Sequence, residues 1–183
     1  MISRLAVIIE HTFIPTIQIV VNFYQQFENL KVIFFAHSSL ENNVAVKDLI
    51  EKKQVVFCNE NDIFVKIVSF LKEEPNTSGY CFQNFILNPN YFQSDFVFVR
   101  KNENVFDLVI GKQEVWEKIY SVMSKCCEGF DFVRKNSCVY LFSNVVNVFF
   151  DNGTDLKDKV YYCEKNENIL EIKDKQIINT QNI

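Results

Sequence analysis

Short runs of β-branched and aromatic residues alternate along most of this chain with stretches whose apolar residues recur at helical spacing, and this alternation restricts the fold more than any other feature. After Arg4, the run Leu5 to Ile9 is aliphatic and β-branched without polar interruption, so residues 4–9 have the pattern of a strand buried on both faces. Residues 13–27 follow with Ile14, Ile17, Val21, Tyr24 and Phe27 at helical spacing, Thr12 placed to cap them and Pro15 in the first turn. Residues 30–35 read as a second strand and 55–58 as a short third, with 44–53 between them a helix or an irregular excursion. Asn61 or Asp62 caps an amphipathic helix carrying Phe64, Ile67, Val68 and Leu71 and stopped at Pro75. Residues 73–79 read as loop, 81–87 as a strand, 105–110 as a strand, 114–127 as a helix, 130–133 as a short strand and 139–150 as a last helix. Residues 91–102 fit both periods: Phe96 to Val99 favours strand by propensity, while Phe92, Phe96 and Val99 repeat at helical spacing.

Such alternation predicts an α/β domain with a doubly wound, mostly parallel sheet over residues 1–150. Residues 151–183 are richer in Lys, Asp and Asn, and are expected to form a polar C-terminal tail. The chain of 183 residues holds one sizeable core, and its 19 Phe imply an aromatic-rich interior. A net charge of −4 with lysines scattered among acids offers no footprint for direct nucleic-acid binding. The apolar stretch 13–21 is broken by Pro15, Thr16 and Gln18, so no membrane span and no signal peptide are expected. Six cysteines without a C-x-x-C pair are expected to be reduced and mostly buried, which suits a cytosolic or nuclear protein.

In open α/β sheets ligands bind at the carboxyl ends of the strands, so those positions are tested for chemistry. The first strand runs into Glu10-His11-Thr12 without the glycines that let backbone N–H groups approach a phosphate, which argues against dinucleotide cofactors and P-loop chemistry. His11 and His37 both fall at strand ends as an acid–base or metal pair, although loop histidines satisfied locally are the favoured reading. His37, Ser38 and Ser39 set a hydroxyl beside an imidazole without an identified orienting acid, and Cys58 is a permitted thiol nucleophile without a partner. Asp107 lies within a strand pattern and reads as a polar residue near a sheet end. No catalytic, cofactor or metal residue is assigned from these patterns.

The order of elements, with Leu5-Ala-Val-Ile-Ile-Glu10, Val20-Val-Asn-Phe23 and Lys31-Val-Ile-Phe-Phe-Ala-His-Ser38, resembles the von Willebrand A domain. The later stretches Val105-Phe-Asp-Leu-Val-Ile110, Glu128-Gly129 and Phe130-Asp-Phe-Val133 look similar to the smaller von Willebrand-A subunits of the general transcription and DNA-repair factor IIH. That resemblance covers residues 4–150 and implies that 91–102 form a helix. Metal-binding von Willebrand A domains carry Asp-x-Ser-x-Ser after the first strand. Here Glu10-His-Thr-Phe-Ile14 stands there, so no metal site is expected. The zinc module of those subunits is reduced in this tail to Cys163, one thiolate where four ligands are needed. The resemblance implies a non-enzymatic nuclear scaffold in a hetero-oligomer, bound to the larger von Willebrand-A subunit and other core subunits and supporting transcription initiation and nucleotide excision repair. Two other readings stand beside it: a small α/β transferase or hydrolase using Glu10, His11 or His37 at the strand ends, and another protein-binding von Willebrand A module.

Overall fold

The computed structural model describes residues 2–60, 62–83, 85–87, 89, 96–102, 105–127, 160–162, 169–170 and 177–179. Seven strands form the main sheet: β1 (Arg4–Ile8), β2 (Lys31–His37), β3 (Val55–Cys58), β4 (Ser78–Phe82), β6 (Phe96–Asn102), β7 (Val105–Gly111) and β8 (Val160–Tyr162). They lie in the order β3-β2-β1-β4-β7-β6-β8. β3, β2, β1 and β4 are mutually parallel, β7 runs antiparallel between β4 and β6, and β8 is parallel to β6. A second sheet joins β5 (Phe85–Leu87), β10 (Ile177–Asn179) and β9 (Ile169–Leu170) in antiparallel pairs. The fold is α/β, doubly wound and Rossmann-like, with a mostly parallel main sheet.

Strand side chains alternate between the two faces of the sheet, and this period of two sorts the core into two layers. From β1, Leu5 and Val7 enter one layer and Ala6 and Ile8 the other. Phe34 and Ala36 of β2 take the first side and Phe35 the second. The first layer is closed by helix α1 (Ile17–Tyr24) through Ile17, Val20, Val21 and Tyr24, and by α2 (Lys47–Glu51) through Leu49. The second is closed by α3 (Ile63–Lys72) through Phe64, Ile67, Val68 and Leu71, and by α4 (Gln113–Cys127) through Trp116, Ile119 and Met123. Because both faces are covered, the central strands are mostly apolar, which is why residues 5–9 show no polar alternation. Trp116 is fully buried, and its indole N–H is shared between the carbonyls of Ser78 and Gly111, both at 3.2 Å.

Several elements depart from the sequence expectations. The helix expected over 13–27 is two pieces: a 3-10 segment, His11–Thr16, containing Pro15, and then α1 from Ile17. Thr16 rather than Thr12 precedes α1, and it makes no side-chain capping bond there. Asp62 precedes α3 but accepts from the Asn59 N–H at 2.7 Å instead of capping the helix. Residues 96–102 form strand β6, not the helix implied by the resemblance. A β-branched and aromatic run finds its partner immediately in β7, and the hairpin pairs Asn102 with Val105. The loop expected up to Gly79 ends earlier, since β4 starts at Ser78. Gly79 suits this place: a Cβ there would lie 2.5 Å from the Val109 carbonyl oxygen across the β4–β7 ladder. The strand expected over 81–87 divides between β4 and β5, which belong to different sheets. The strand at 130–133, the helix at 139–150 and most of the tail after residue 150 lie outside the described residues.

Candidate functional site

Parallel strands deliver all their carboxyl ends to one edge of a sheet, and here that edge gathers polar side chains from well-separated parts of the chain. β1 stops after Ile8, whose carbonyl accepts from the Gln83 N–H at 2.8 Å, while the Ile9 N–H is held by Phe35 O at 2.8 Å. The chain then turns into the 3-10 segment that opens with His11, which is exposed. β2 ends in His37 and passes directly into a 3-10 turn, Ser38–Leu40, anchored by buried Leu40. The His37 ring caps this turn, its Nδ1 accepting from the Ser39 N–H at 3.2 Å. β3 ends at Cys58, opposite His37 in the ladder, and Asn59 follows.

These three ends are cross-linked. Ser39 Oγ lies 2.8 Å from His37 Nδ1 and 3.4 Å from His11 Nε2. The two imidazoles sit with ring centroids 6.0 Å apart. Ser38 Oγ donates to Asn59 Oδ1 at 2.8 Å, tying the end of β2 to that of β3. At the neighbouring strand end, buried Gln83 donates from Nε2 to Thr16 Oγ1 at 3.1 Å and so fixes the 3-10 segment over β4. β1 and β4 flank the point where the connections leave the sheet in opposite directions, and such a switch point is the customary place for a ligand in an open α/β sheet.

The structure therefore brings together His11, His37, Ser38 and Ser39 and adds Asn59, Thr16 and Gln83, which the sequence patterns did not single out. The one legible signal is the position of Asn59 immediately after the strand at 55–58, since Gln83 fell inside the strand expected over 81–87. Cys58 does not join as a nucleophile. Its thiol is buried, donates to Ala36 O at 3.4 Å, and is pushed up to about 11 by burial and secondarily by the Asp62 charge. A thiol so raised holds its proton at neutral pH and carries no thiolate. Asp107 belongs to β7, whose antiparallel run brings it toward the same edge, one residue beyond the Cys81–Leu108 pair. Among the described residues no three His, Cys, Asp or Glu side chains gather as metal ligands. A cleft of about 290 Å³ lies at the opposite edge, between the start of β1 and the α1–β2 connection, lined by Ile2, Gln26, Phe27, Glu28, Leu30 and Pro89 among others.

No family model matches this chain, and no curated protein matches it. Among solved structures it is similar in outline to the glycosyltransferase GlyE of Streptococcus pneumoniae TIGR4, at 11% identity and a TM-score of 0.46. That alignment covers 89% of this chain and 45% of the glycosyltransferase, so the chain spans less than half the length of that protein.

Proposed function

We propose that this protein binds a small polar molecule at the carboxyl edge of its parallel strands and acts on it as a small α/β transferase or hydrolase. The observation that carries this reading is the convergence of His11 and His37, delivered by two different strand ends, on the hydroxyl oxygen of Ser39. Imidazoles supply hydrogen-bond donors and acceptors, and a hydroxyl between them is a natural contact for a hydroxylated ligand. The test is a thermal-shift screen of nucleosides, sugars, phosphate esters and carboxylic esters against the native chain and the His11→Ala/His37→Ala double variant. A ligand that raises the melting temperature of the native chain only supports the reading. Stabilisation of both proteins to the same degree by every active ligand would place binding elsewhere.

A second reading is the partner-binding subunit that the von Willebrand A resemblance implies, held in the nucleus by the larger von Willebrand-A subunit of factor IIH. Its support is the resemblance itself, and Val44, 84% exposed, with Ile19 and Ile50 are apolar side chains that such a partner could cover. Affinity capture of the tagged chain tests it. Near-equal recovery of factor IIH core subunits, lost in a Val44→Asp variant, supports this reading, and recovery of the chain alone contradicts it.

A further inference from the structure

The end of β2 is closed by a single nitrogen lone pair. His37 Nδ1 accepts from the backbone N–H of Ser39 at 3.2 Å, and this contact caps the 3-10 turn Ser38–Leu40. A backbone N–H cannot reverse its role, so Nδ1 is unprotonated and the hydrogen of the neutral ring sits on Nε2. The next 3-10 turn, Val44–Val46, is capped in the same way by Asn43, whose Oδ1 accepts from the Ala45 N–H at 2.9 Å. An amide oxygen serves that turn, whereas the end of β2 carries the one kind of cap that takes up a proton near neutral pH. The Ser39 hydroxyl stands beside it, with Oγ 2.8 Å from His37 Nδ1 and 3.4 Å from His11 Nε2. Unlike the amide, that hydroxyl can donate or accept.

Protonation removes the acceptor. An imidazolium carries a hydrogen on both nitrogens and accepts none, so two N–H groups would face each other where the cap now stands. The new Nδ1–H still finds an acceptor in Ser39 Oγ, so the ring keeps a partner while the backbone contact opens. We infer that His37 is a pH-sensitive latch on the end of β2: neutral, it caps the Ser38–Leu40 turn; protonated, it exchanges the Ser39 backbone N–H for the Ser39 hydroxyl and the turn opens at its start. The cap is present above the imidazole range and is lost as pH falls through it. Buried Leu40 anchors the far end of the turn, so the opening is local to Ser38 and Ser39, the residues that reach Asn59 and His11. The surrounding charges come from several elements. His11 brings its ring centroid to 6.0 Å and follows Glu10. Cys58 lies opposite on β3, its thiol pushed up to about 11 and so neutral throughout. Asp62 and Lys66 beyond it pair with each other at 3.0 Å, and Glu41 closes the turn itself. The latch stands on this hydrogen-bond geometry; its bearing on ligand binding rests on the strand-end reading proposed above.

The test is a proton–nitrogen NMR titration of the isotope-labelled full chain, without ligand, from about pH 8 to about pH 5. The Ser39 amide proton should move upfield, out of its hydrogen-bonded position, with the same midpoint as the His37 Cε1–H resonance. Its protection from hydrogen exchange, referred to a free amide at each pH, should fall about 10-fold, the scale of one lost cap. In His37→Asn, which caps without titrating, the Ser39 amide should hold its position. In His11→Gln it should still move, since the cap belongs to His37. A Ser39 amide that stays fixed in the native chain overturns the latch, and so does one that moves equally in His37→Asn or no longer moves in His11→Gln. Because no ligand takes part, failure of the latch leaves the ligand reading standing, and the thermal-shift screen decides that one separately.

Discussion

Lys53 holds a backbone φ of 54°, in the left-handed region that side chains with a Cβ enter at a cost. The reason is local. α2 ends in a Schellman arrangement: the Gln54 N–H reaches Leu49 O at 2.8 Å and the Lys53 N–H reaches Ile50 O at 3.0 Å, which requires a left-handed residue at Lys53. Lys53→Gly should therefore stabilise the protein by about 0.5–1 kcal/mol, net of glycine's greater freedom when unfolded, and urea unfolding measures it. A second residue-scale expectation concerns the buried thiols. Burial pushes Cys81 up to about 12, and Cys58 is raised to about 11, from an ordinary value of 9.0. The folded state thus keeps two protons that the unfolded chain releases. Their contribution is fully present below about pH 9. It is lost as pH rises through the two raised values, so the urea midpoint should fall from pH 9 upward. A Cys58→Ala/Cys81→Ala variant should lose much of that slope; an unchanged slope would show that other groups set it.

At the scale of elements, α4 and the β4–β7 ladder support each other. Trp116 fills the second layer and supplies a donor to two carbonyls at the ends of those strands. Truncating it should cost about 3–5 kcal/mol in Trp116→Ala. Trp116→Phe should cost less, through the lost N–H, and the two variants compared by thermal unfolding separate packing from hydrogen bonding. Gly79→Val should destabilise by about 1–3 kcal/mol or more, because its Cβ must push into the backbone of β7. Elements with strong periodicity were legible in the sequence: α3, α4, and β1 to β3 fall within a few residues of their expected bounds. β6 was left open by its own residues, which satisfy both periods, and the resemblance then set it as a helix against its strand propensity; pairing with β7 decides for the strand. The reversed direction of β7 left no mark on its own residues, since a strand buried on both faces looks alike whichever way it runs. The helix expected over 13–27 was divided at Pro15, which stands in a 3-10 segment before α1 rather than in the first turn of the helix.

At the scale of the whole molecule, the order of the central strands decides where polar residues can meet. Placing β1 beside both β2 and β4 puts the chain after β1 over two neighbouring strand ends, and this seats His11 above Ser39 although 28 positions separate them. The sequence marked both histidines as strand-end residues, but their meeting depended on register and on the 3-10 turns, which periodicity does not encode. Asn59 was missed for the same reason, as a single polar residue after a strand looks like an ordinary loop residue, and Gln83 because it fell inside a strand expected over 81–87. The chain contains only 2 histidines, so the strand-end site reports on itself. The decisive measurement is the pair of imidazole Cε1–H resonances in a proton NMR titration with the best ligand from the thermal-shift screen. The account predicts that both resonances move together with one binding constant. Saturation of the protein by that ligand with both resonances unmoved would contradict a site at the strand ends.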